Sequence, residues 1–198
     1  MFEIKGKTAV ITGGTSGIGL ATAEAFLKKG GKVVIAGRSE ERGAQALESL
    51  KDVPGDVAFR KTDTSDEEDV KDLINFAVNQ FGSVDIMFNN AGIGNAAPVD
   101  KMSGEDFRKL IDINLTGVFY GIKYAALQME KQGKGGAIVS TSSIEGTVGD
   151  PNLPAYNSAK GGVNLLTKSS ALALAKYNIR VNTVNPGYIL TGMVNEKT

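Results

Sequence analysis

The chain alternates short runs of β-branched residues with longer segments of helical pattern, and this alternation constrains its fold more than any other feature. The strand-like runs cover residues 7–12, 32–36, 57–61, 84–88, 137–140 and 179–184, and the helix-like segments cover residues 17–29, 40–51, 66–81, 104–131 and 155–177. The strand-like runs are apolar without clean polar alternation, as expected where helices cover both faces of a parallel sheet. Because crossover connections are right-handed, the pattern predicts a doubly wound α/β fold, in a single domain over residues 1–198.

The composition excludes several classes of chemistry. The chain has no Cys and no His, which excludes disulfides, thiolate nucleophiles, Ser-His-Asp triads and Cys- or His-ligated metals. Acid–base catalysis therefore has to use carboxylates, Lys, Tyr or water, and we expect no metal site. The 22 basic residues balance 22 acidic ones, so we expect neither nucleic acid nor a membrane surface as a partner. Because no apolar run is long enough to span a bilayer and the amino-terminal residues lack a signal-peptide pattern, we expect a cytoplasmic protein.

A glycine-rich turn follows the first strand-like run and opens a helix. It reads Gly13-Gly14-Thr15-Ser16-Gly17-Ile18-Gly19. Glycine permits a tight turn and lets backbone N–H groups approach a pyrophosphate at the positive end of a helix. The alternative is a tight turn without a ligand, but the number of glycines exceeds what such a turn needs. The turn therefore favours dinucleotide binding.

A basic residue follows the second strand-like run. NAD sites commonly place an acidic residue there for the ribose 2′-hydroxyl, whereas this chain has Gly37 and then Arg38. A guanidinium could bind a 2′-phosphate instead, so Arg38 favours NADP(H) over NAD(H). The alternative is a surface arginine that pairs with Glu40 or Glu41.

Tyr156 and Lys160 have the spacing that places two side chains on one helix face. A phenol with a pKa of about 10 is a poor base near neutral pH, and a neighbouring ammonium favours its phenolate form. The pair is therefore a candidate acid–base device in a chain without His. Ser143 follows the strand-like run before this helix, and ligands in such folds lie beyond the carboxyl ends of strands. We therefore expect Ser143 in the same crevice.

Asn114 lies in the middle of the long helix-like segment over residues 104–131. Asn is a poor helix-interior residue, and a residue that disfavours its own secondary structure often marks a functional site. The alternative, an Asn exposed on the outer face of the helix, stays equally open.

Together these motifs resemble the short-chain dehydrogenase/reductase family over the whole chain. The family's motifs occur in its own order as Thr12-Gly13-x-x-x-Gly17-Ile18-Gly19, Asn89-Asn90-Ala91-Gly92, Asn114, Ser143, Tyr156-x-x-x-Lys160 and Pro186-Gly187. The resemblance implies a Rossmann-type fold with Tyr156 as the general acid or base and Ser143 holding the substrate oxygen. It also implies that Lys160 lowers the Tyr156 pKa and that Asn114 keeps a water for proton relay.

The resemblance further implies a dinucleotide site that spans the chain. The expected cofactor-binding residues are Gly13, Thr15, Ser16, Gly17, Ile18 and Gly19, then Arg38, Asp63, Asn90, Ala91 and Gly92, and finally Tyr156, Lys160, Pro186, Gly187, Ile189 and Thr191. NADP(H) is the preferred cofactor because of Arg38, although Thr15 and Ser16 leave the glycine-rich turn without a second basic residue.

The expected activity is hydride transfer between NADP(H), or NAD(H), and a small-molecule ketone or secondary alcohol. A 3-oxoacyl-carrier-protein reductase is one alternative, and a dinucleotide-binding regulatory or scaffold protein without turnover is another. The resemblance implies a homodimer or homotetramer that forms through the long helices. Since family members usually continue past Pro186-Gly187 to a substrate-covering lid and a last strand, we expect the sequence to be part of a longer protein.

Overall fold

The computed structural model describes residues 3–192, and the ends of the predicted domain, residues 1–2 and 193–198, lie outside the described residues. The described residues form one parallel sheet of six strands: β1 (Thr8–Thr12), β2 (Lys32–Gly37), β3 (Asp56–Lys61), β4 (Ile86–Asn89), β5 (Gly136–Thr141) and β6 (Ile179–Val184). Their order is β3-β2-β1-β4-β5-β6. The chain therefore builds outward from β1 in both directions, which confirms the doubly wound fold.

Helices cover both faces of the sheet. They are α1 (Gly17–Lys28), α2 (Glu40–Leu50), α3 (Glu67–Phe81), α4 (Gly104–Ile111), α5 (Gly117–Gln132) and α6 (Pro154–Leu174). Val10 of β1 belongs to the buried cluster that contains Leu73 of α3 and Ile122 of α5, whereas the next residue, Ile11, belongs to the cluster that contains Leu27 of α1. Successive strand residues are thus apolar because each packs under a helix layer. Within residues 3–192, no helix is long and apolar enough to cross a membrane.

The helix-like segment predicted over residues 104–131 is helical throughout, but it is not a regular α-helix. The segment consists of α4, a π-helical turn over Asp112–Thr116 and then α5. A π-helical turn inserts an extra residue into the α-helix and frequently occurs at a functional site. Asn114 lies at the centre of this turn.

Candidate active site

The carboxyl ends of the central strands open into one cleft of about 710 Å³. Most of the predicted site residues line it, namely Gly13, Thr15, Ser16, Gly17, Ile18, Asn90, Ala91, Gly92, Ser143, Tyr156, Lys160, Pro186, Gly187, Ile189 and Thr191. Four predicted residues do not line it: Gly19, Arg38, Asp63 and Asn114. The cleft lies where the strand order reverses, which is the usual ligand position in a doubly wound sheet.

The glycine-rich turn forms the floor of the cleft between β1 and α1. Gly13 and Gly17 have φ angles of +64° and +51°, a conformation that side chains disfavour. A Cβ on Gly19 would overlap the Gly13 carbonyl oxygen, so Gly19 shapes the turn from behind rather than lining the cleft. Ser16 makes no side-chain capping bond at the start of α1, which leaves the first N–H groups of the helix available to an anion.

Asn90 ties three strand ends together beside this turn. Its side-chain amide donates to the carbonyl oxygens of Thr12 and Gly13, both at 3.3 Å. Its side-chain oxygen accepts a hydrogen bond from the Thr141 hydroxyl at 3.2 Å. The Thr12 hydroxyl oxygen in turn accepts from the backbone N–H groups of Asn90 and Ala91. These bonds link the ends of β1, β4 and β5, so the wall of the cleft is held rigidly.

Tyr156 and Lys160 lie one turn apart on α6, and Ser143 follows β5 at the start of a short 3-10 helix. The Lys160 Nζ lies 5.5 Å from the centre of the Tyr156 ring. It donates a hydrogen bond of 2.7 Å to the Thr141 carbonyl oxygen, and the Ser142 hydroxyl donates to the Lys160 carbonyl oxygen at 2.8 Å. The end of β5 and the start of α6 are therefore joined at the point where these side chains meet.

Burial determines the ionisation of both groups. It lowers the pKa of Lys160 to about 8. Burial raises the pKa of Tyr156; interaction with the Ser143 hydroxyl lowers it, and the negative charge of Glu145 raises it further. The net change in the Tyr156 pKa is upward, opposite to the direction that the resemblance implied, because burial of the phenol outweighs the opposing interactions. At neutral pH the phenol is protonated and can donate a proton.

Asn114 is fully buried, so the alternative of an exposed residue is wrong. Its side-chain oxygen accepts from the Ile93 N–H and its amide donates to the Ile93 carbonyl oxygen, both at 2.8 Å. A Cβ on Gly92 would lie 3.3 Å from the Asn114 side-chain oxygen and 3.7 Å from the Lys160 Nζ. Asn114 thus supports the loop after β4 and lies close to the lysine without lining the cleft.

Arg38 and Asp63 follow β2 and β3 and do not line the cleft. Arg38 is exposed and, within residues 3–192, makes no ion pair with Glu40 or Glu41. Burial alone would raise the pKa of Asp63, but hydrogen bonds from Ser65 and the positive charge of Arg38 lower it overall.

Sequence reasoning missed Arg42 and Gln45, two residues of α2 that line the cleft. Arg42 belongs to the first turn of α2, and its N–H donates to the Ser39 hydroxyl that caps the helix. The signal that could have found it is a second basic residue one turn beyond Arg38. A second cation for the 2′-phosphate was expected only in the glycine-rich turn.

A family model described as short chain dehydrogenase matches residues 7–198. The chain belongs to this family. It is 46% identical over 198 residues to the NADP-dependent (R)-specific alcohol dehydrogenase of Lentilactobacillus kefiri, covering 98% of this chain and 77% of that protein. It is 40% identical to the cyclohexanol dehydrogenase of Acinetobacter sp. strain SE19 over 195 residues, again covering 98% of this chain and 77% of the relative.

A solved short-chain dehydrogenase/reductase from Burkholderia phymatum, in complex with NAD, has the same fold. It superimposes with a TM-score of 0.94 at 33% identity, covering 98% of this chain and 69% of that chain. The predictions of family, fold and enzyme class are therefore confirmed. This short-chain dehydrogenase is an NAD(P)-dependent oxidoreductase that acts on alcohol or carbonyl groups.

Proposed function

We propose that this enzyme reduces a small ketone to a secondary alcohol, and catalyses the reverse oxidation, with Tyr156 as the general acid or base. The observation that carries the proposal is the meeting of Ser143, Tyr156 and Lys160 in one cleft beside the glycine-rich turn. The protonated phenol of Tyr156 donates its proton to the carbonyl oxygen during reduction. The Ser143 hydroxyl holds the same oxygen, and the buried ammonium of Lys160 favours the phenolate that remains.

The glycine-rich turn fits the pyrophosphate of a nicotinamide dinucleotide. A Cβ on Gly13 would lie 2.9 Å from the Ala91 Cα, so only glycine permits this close approach, and no Ser16 side-chain bond occupies the first N–H groups of α1. Pro186, Gly187 and Ile189 line the cleft beside Tyr156 and would hold the nicotinamide. When bound, the cofactor supplies or accepts the hydride.

Asn114 and Lys160 form the proposed route for protons behind the cleft. Lys160 is 3% exposed, and Asn114 lies near its ammonium across Gly92. Because Gly92 has no Cβ, a water can reach both the amide and the ammonium. After each reduction Lys160 would return a proton to Tyr156, and that water would replace the proton on Lys160 from solvent.

NADP(H) is the proposed cofactor, with NAD(H) as the alternative. Arg42 lines the cleft and Arg38 follows β2 directly, and a relative of this chain is named NADP-dependent. A charge-assisted hydrogen bond to a phosphate contributes roughly 1.5–3 kcal/mol. We therefore expect Arg38→Ala to weaken NADPH binding by roughly 10- to 100-fold and to leave NADH binding unchanged.

Titration of the protein with NADPH and NADH, followed by nicotinamide fluorescence, tests the cofactor preference. The chain has no Trp, so the background is low. Tighter binding of NADH than of NADPH, or an Arg38→Ala variant that binds NADPH as tightly as the wild type, would contradict the preference.

Turnover of cyclohexanone tests the catalytic proposal, because one relative is named a cyclohexanol dehydrogenase. Tyr156→Phe should lower kcat by roughly 10²- to 10⁴-fold, since a positioned general acid contributes that much. The variant should bind the cofactor like the wild type, because the ring is kept. If the variant reduces the ketone at the wild-type rate, the acid–base assignment is wrong. A wild type that binds the cofactor and turns over no carbonyl compound would favour a regulatory or scaffold protein.

The enzyme is further proposed to form a homodimer or homotetramer. Large apolar side chains are exposed on the outer faces of α5 and α6, namely Phe119, Leu127, Leu165 and Leu172. A second copy of the same surface would cover them. Sedimentation equilibrium should give an oligomer that Leu172→Glu dissociates, and a monomer at every concentration would contradict the proposal.

A cytoplasmic location also stays a proposal, which cell fractionation would test.

A further inference from the structure

One side chain joins the loop that carries Ser143 to the helix that carries Tyr156. The side-chain amide of Asn157, on α6, donates to the Glu145 carbonyl oxygen at 2.6 Å, to the Glu145 carboxylate at 2.9 Å and to the Val148 carbonyl oxygen at 3.0 Å. The Asn157 side-chain oxygen accepts from the Asp150 N–H at 3.2 Å. Both N–H hydrogens and the oxygen of the Asn157 amide therefore form hydrogen bonds to a single loop.

These bonds end close to the two hydroxyl groups that hold the substrate oxygen in the proposed reaction. Asn157 is the neighbour of Tyr156 in the sequence, and the Glu145 N–H donates to the Ser143 hydroxyl oxygen at 3.1 Å. A short chain of contacts thus runs from the Tyr156 backbone through Asn157 and Glu145 to the Ser143 side chain. These contacts stand beside the direct interaction of the Ser143 hydroxyl with the Tyr156 phenol.

We propose that Asn157 is a positioning residue that holds the Ser143 hydroxyl and the Glu145 carboxylate in place beside Tyr156. The assignment rests on the proposed function, because it concerns the geometry of that reaction. Without the amide, the loop over residues 144–150 loses its bonds to Asn157, and the Glu145 N–H that bonds the Ser143 hydroxyl is held less firmly. A displacement of about 1 Å in a catalytic group can cost on the order of 100-fold in rate.

The Glu145 carboxylate provides a second test of the positioning role of Asn157. The charged groups that face the Tyr156 phenol are Lys160, on its own helix, and Glu145, from the loop. The negative charge of Glu145 raises the pKa of Tyr156. When Asn157 no longer holds this carboxylate, its charge moves away from the phenol, and the Tyr156 pKa should fall.

The variant Asn157→Ala is compared with Asn164→Ala, a matched change on the same helix. The Asn164 amide donates to the Gly146 carbonyl oxygen at 3.1 Å, so it bonds the same loop, but it lies two turns beyond Tyr156. Cyclohexanone reduction should show a kcat for Asn157→Ala that is roughly 10- to 100-fold below that of Asn164→Ala. The affinity for the cofactor, measured by fluorescence, should be the same in both variants.

The pH profile of kcat/KM separates positioning from a general loss of stability. Because the phenol must be protonated for reduction, a lower Tyr156 pKa moves the alkaline limb to lower pH. Asn157→Ala should shift this limb downward and Asn164→Ala should not. Glu145→Gln keeps an oxygen that accepts from Asn157 and removes only the charge, so it should shift the limb with a kcat within threefold of the wild type.

The assignment is overturned if Asn157→Ala retains a kcat within threefold of Asn164→Ala, or if neither Asn157→Ala nor Glu145→Gln moves the alkaline limb. If the alanine variant does not fold, Asn157→Ser, which keeps one donor for the Glu145 carbonyl oxygen, takes its place with the same two criteria. A wild type that binds the cofactor but reduces no ketone overturns the proposed function itself, and the positioning role falls with it.

Discussion

Replacing Lys160 with Met should remove a pH-dependent contribution to the free energy of unfolding. Burial lowers the pKa of this lysine in the folded chain from 10.5 to about 8. In the unfolded chain the group returns to its ordinary value, so between pH 8 and 10.5 the unfolded state binds more protons than the folded state. Stability therefore rises with pH across this window. Below pH 8 the buried ammonium lowers the free energy of unfolding by its full amount.

The magnitude follows from the two pKa values. They differ by about 2.5, and one pKa unit corresponds to about 1.4 kcal/mol. The buried charge therefore costs on the order of 3 kcal/mol at pH 7, and most of this cost disappears by pH 10. Met is unbranched and uncharged, so Lys160→Met has no such cost at any pH. The variant also loses the bond from the Lys160 Nζ to the Thr141 carbonyl oxygen, which lowers its stability over the whole pH range.

Urea unfolding of the cofactor-free protein at pH 7, 8.5 and 10 measures the effect. The wild type should gain roughly 2–3 kcal/mol relative to Lys160→Met between pH 7 and 10, because pH 10 lies just below the unfolded pKa of 10.5. Lys168→Met, a change at an exposed lysine of the same helix, is the control and should follow the wild type. If the wild type and Lys160→Met have parallel pH profiles, the ammonium of Lys160 is not buried at a cost and the reasoning is refuted.

Two further predictions concern packing behind the cleft. Gly121→Ala should lower the free energy of unfolding by about 1–3 kcal/mol, because the added Cβ would overlap the buried side-chain oxygen of Asn89. Gly161→Ala, where a Cβ makes only ordinary contacts, should be neutral or stabilising in the same urea assay. Asn114→Ala should cost about 2 kcal/mol, because it leaves the Ile93 N–H and carbonyl groups without their partners. Equal stability of Asn114→Ala and the wild type would contradict this account.

Local patterns in the sequence were sufficient to predict the fold. The apolar runs and the helical segments between them identify a sheet covered on both faces, since an element buried on both sides reads as continuously apolar. The motifs were sufficient to predict the family and most of the residues that line the cleft. Each motif occupies a few adjacent residues at the end of a strand, and in a parallel sheet those ends lie along one edge.

The environment of Asn114 could not be predicted from the sequence. Its poor helix propensity marked it as unusual, yet an exposed position was equally compatible with the sequence. Its buried position depends on Ile93, which is 21 residues away along the chain. The sequence also did not predict the π-helical turn that interrupts the regular α-helix around it. Arg42 was missed for a similar reason, because its place in the cleft depends on how α2 packs beside β2.

The sequence by itself determined the order of strands and helices, the family and the residue types available for catalysis. Only the tertiary structure decided the ionisation of Lys160 and Tyr156, because the pKa of a side chain depends on burial and on charges from distant parts of the chain. It also decided that Asn157 bonds the loop that follows Ser143. Hydrogen bonds of this kind join a loop to a helix across the folded chain, and no spacing along the sequence encodes their geometry.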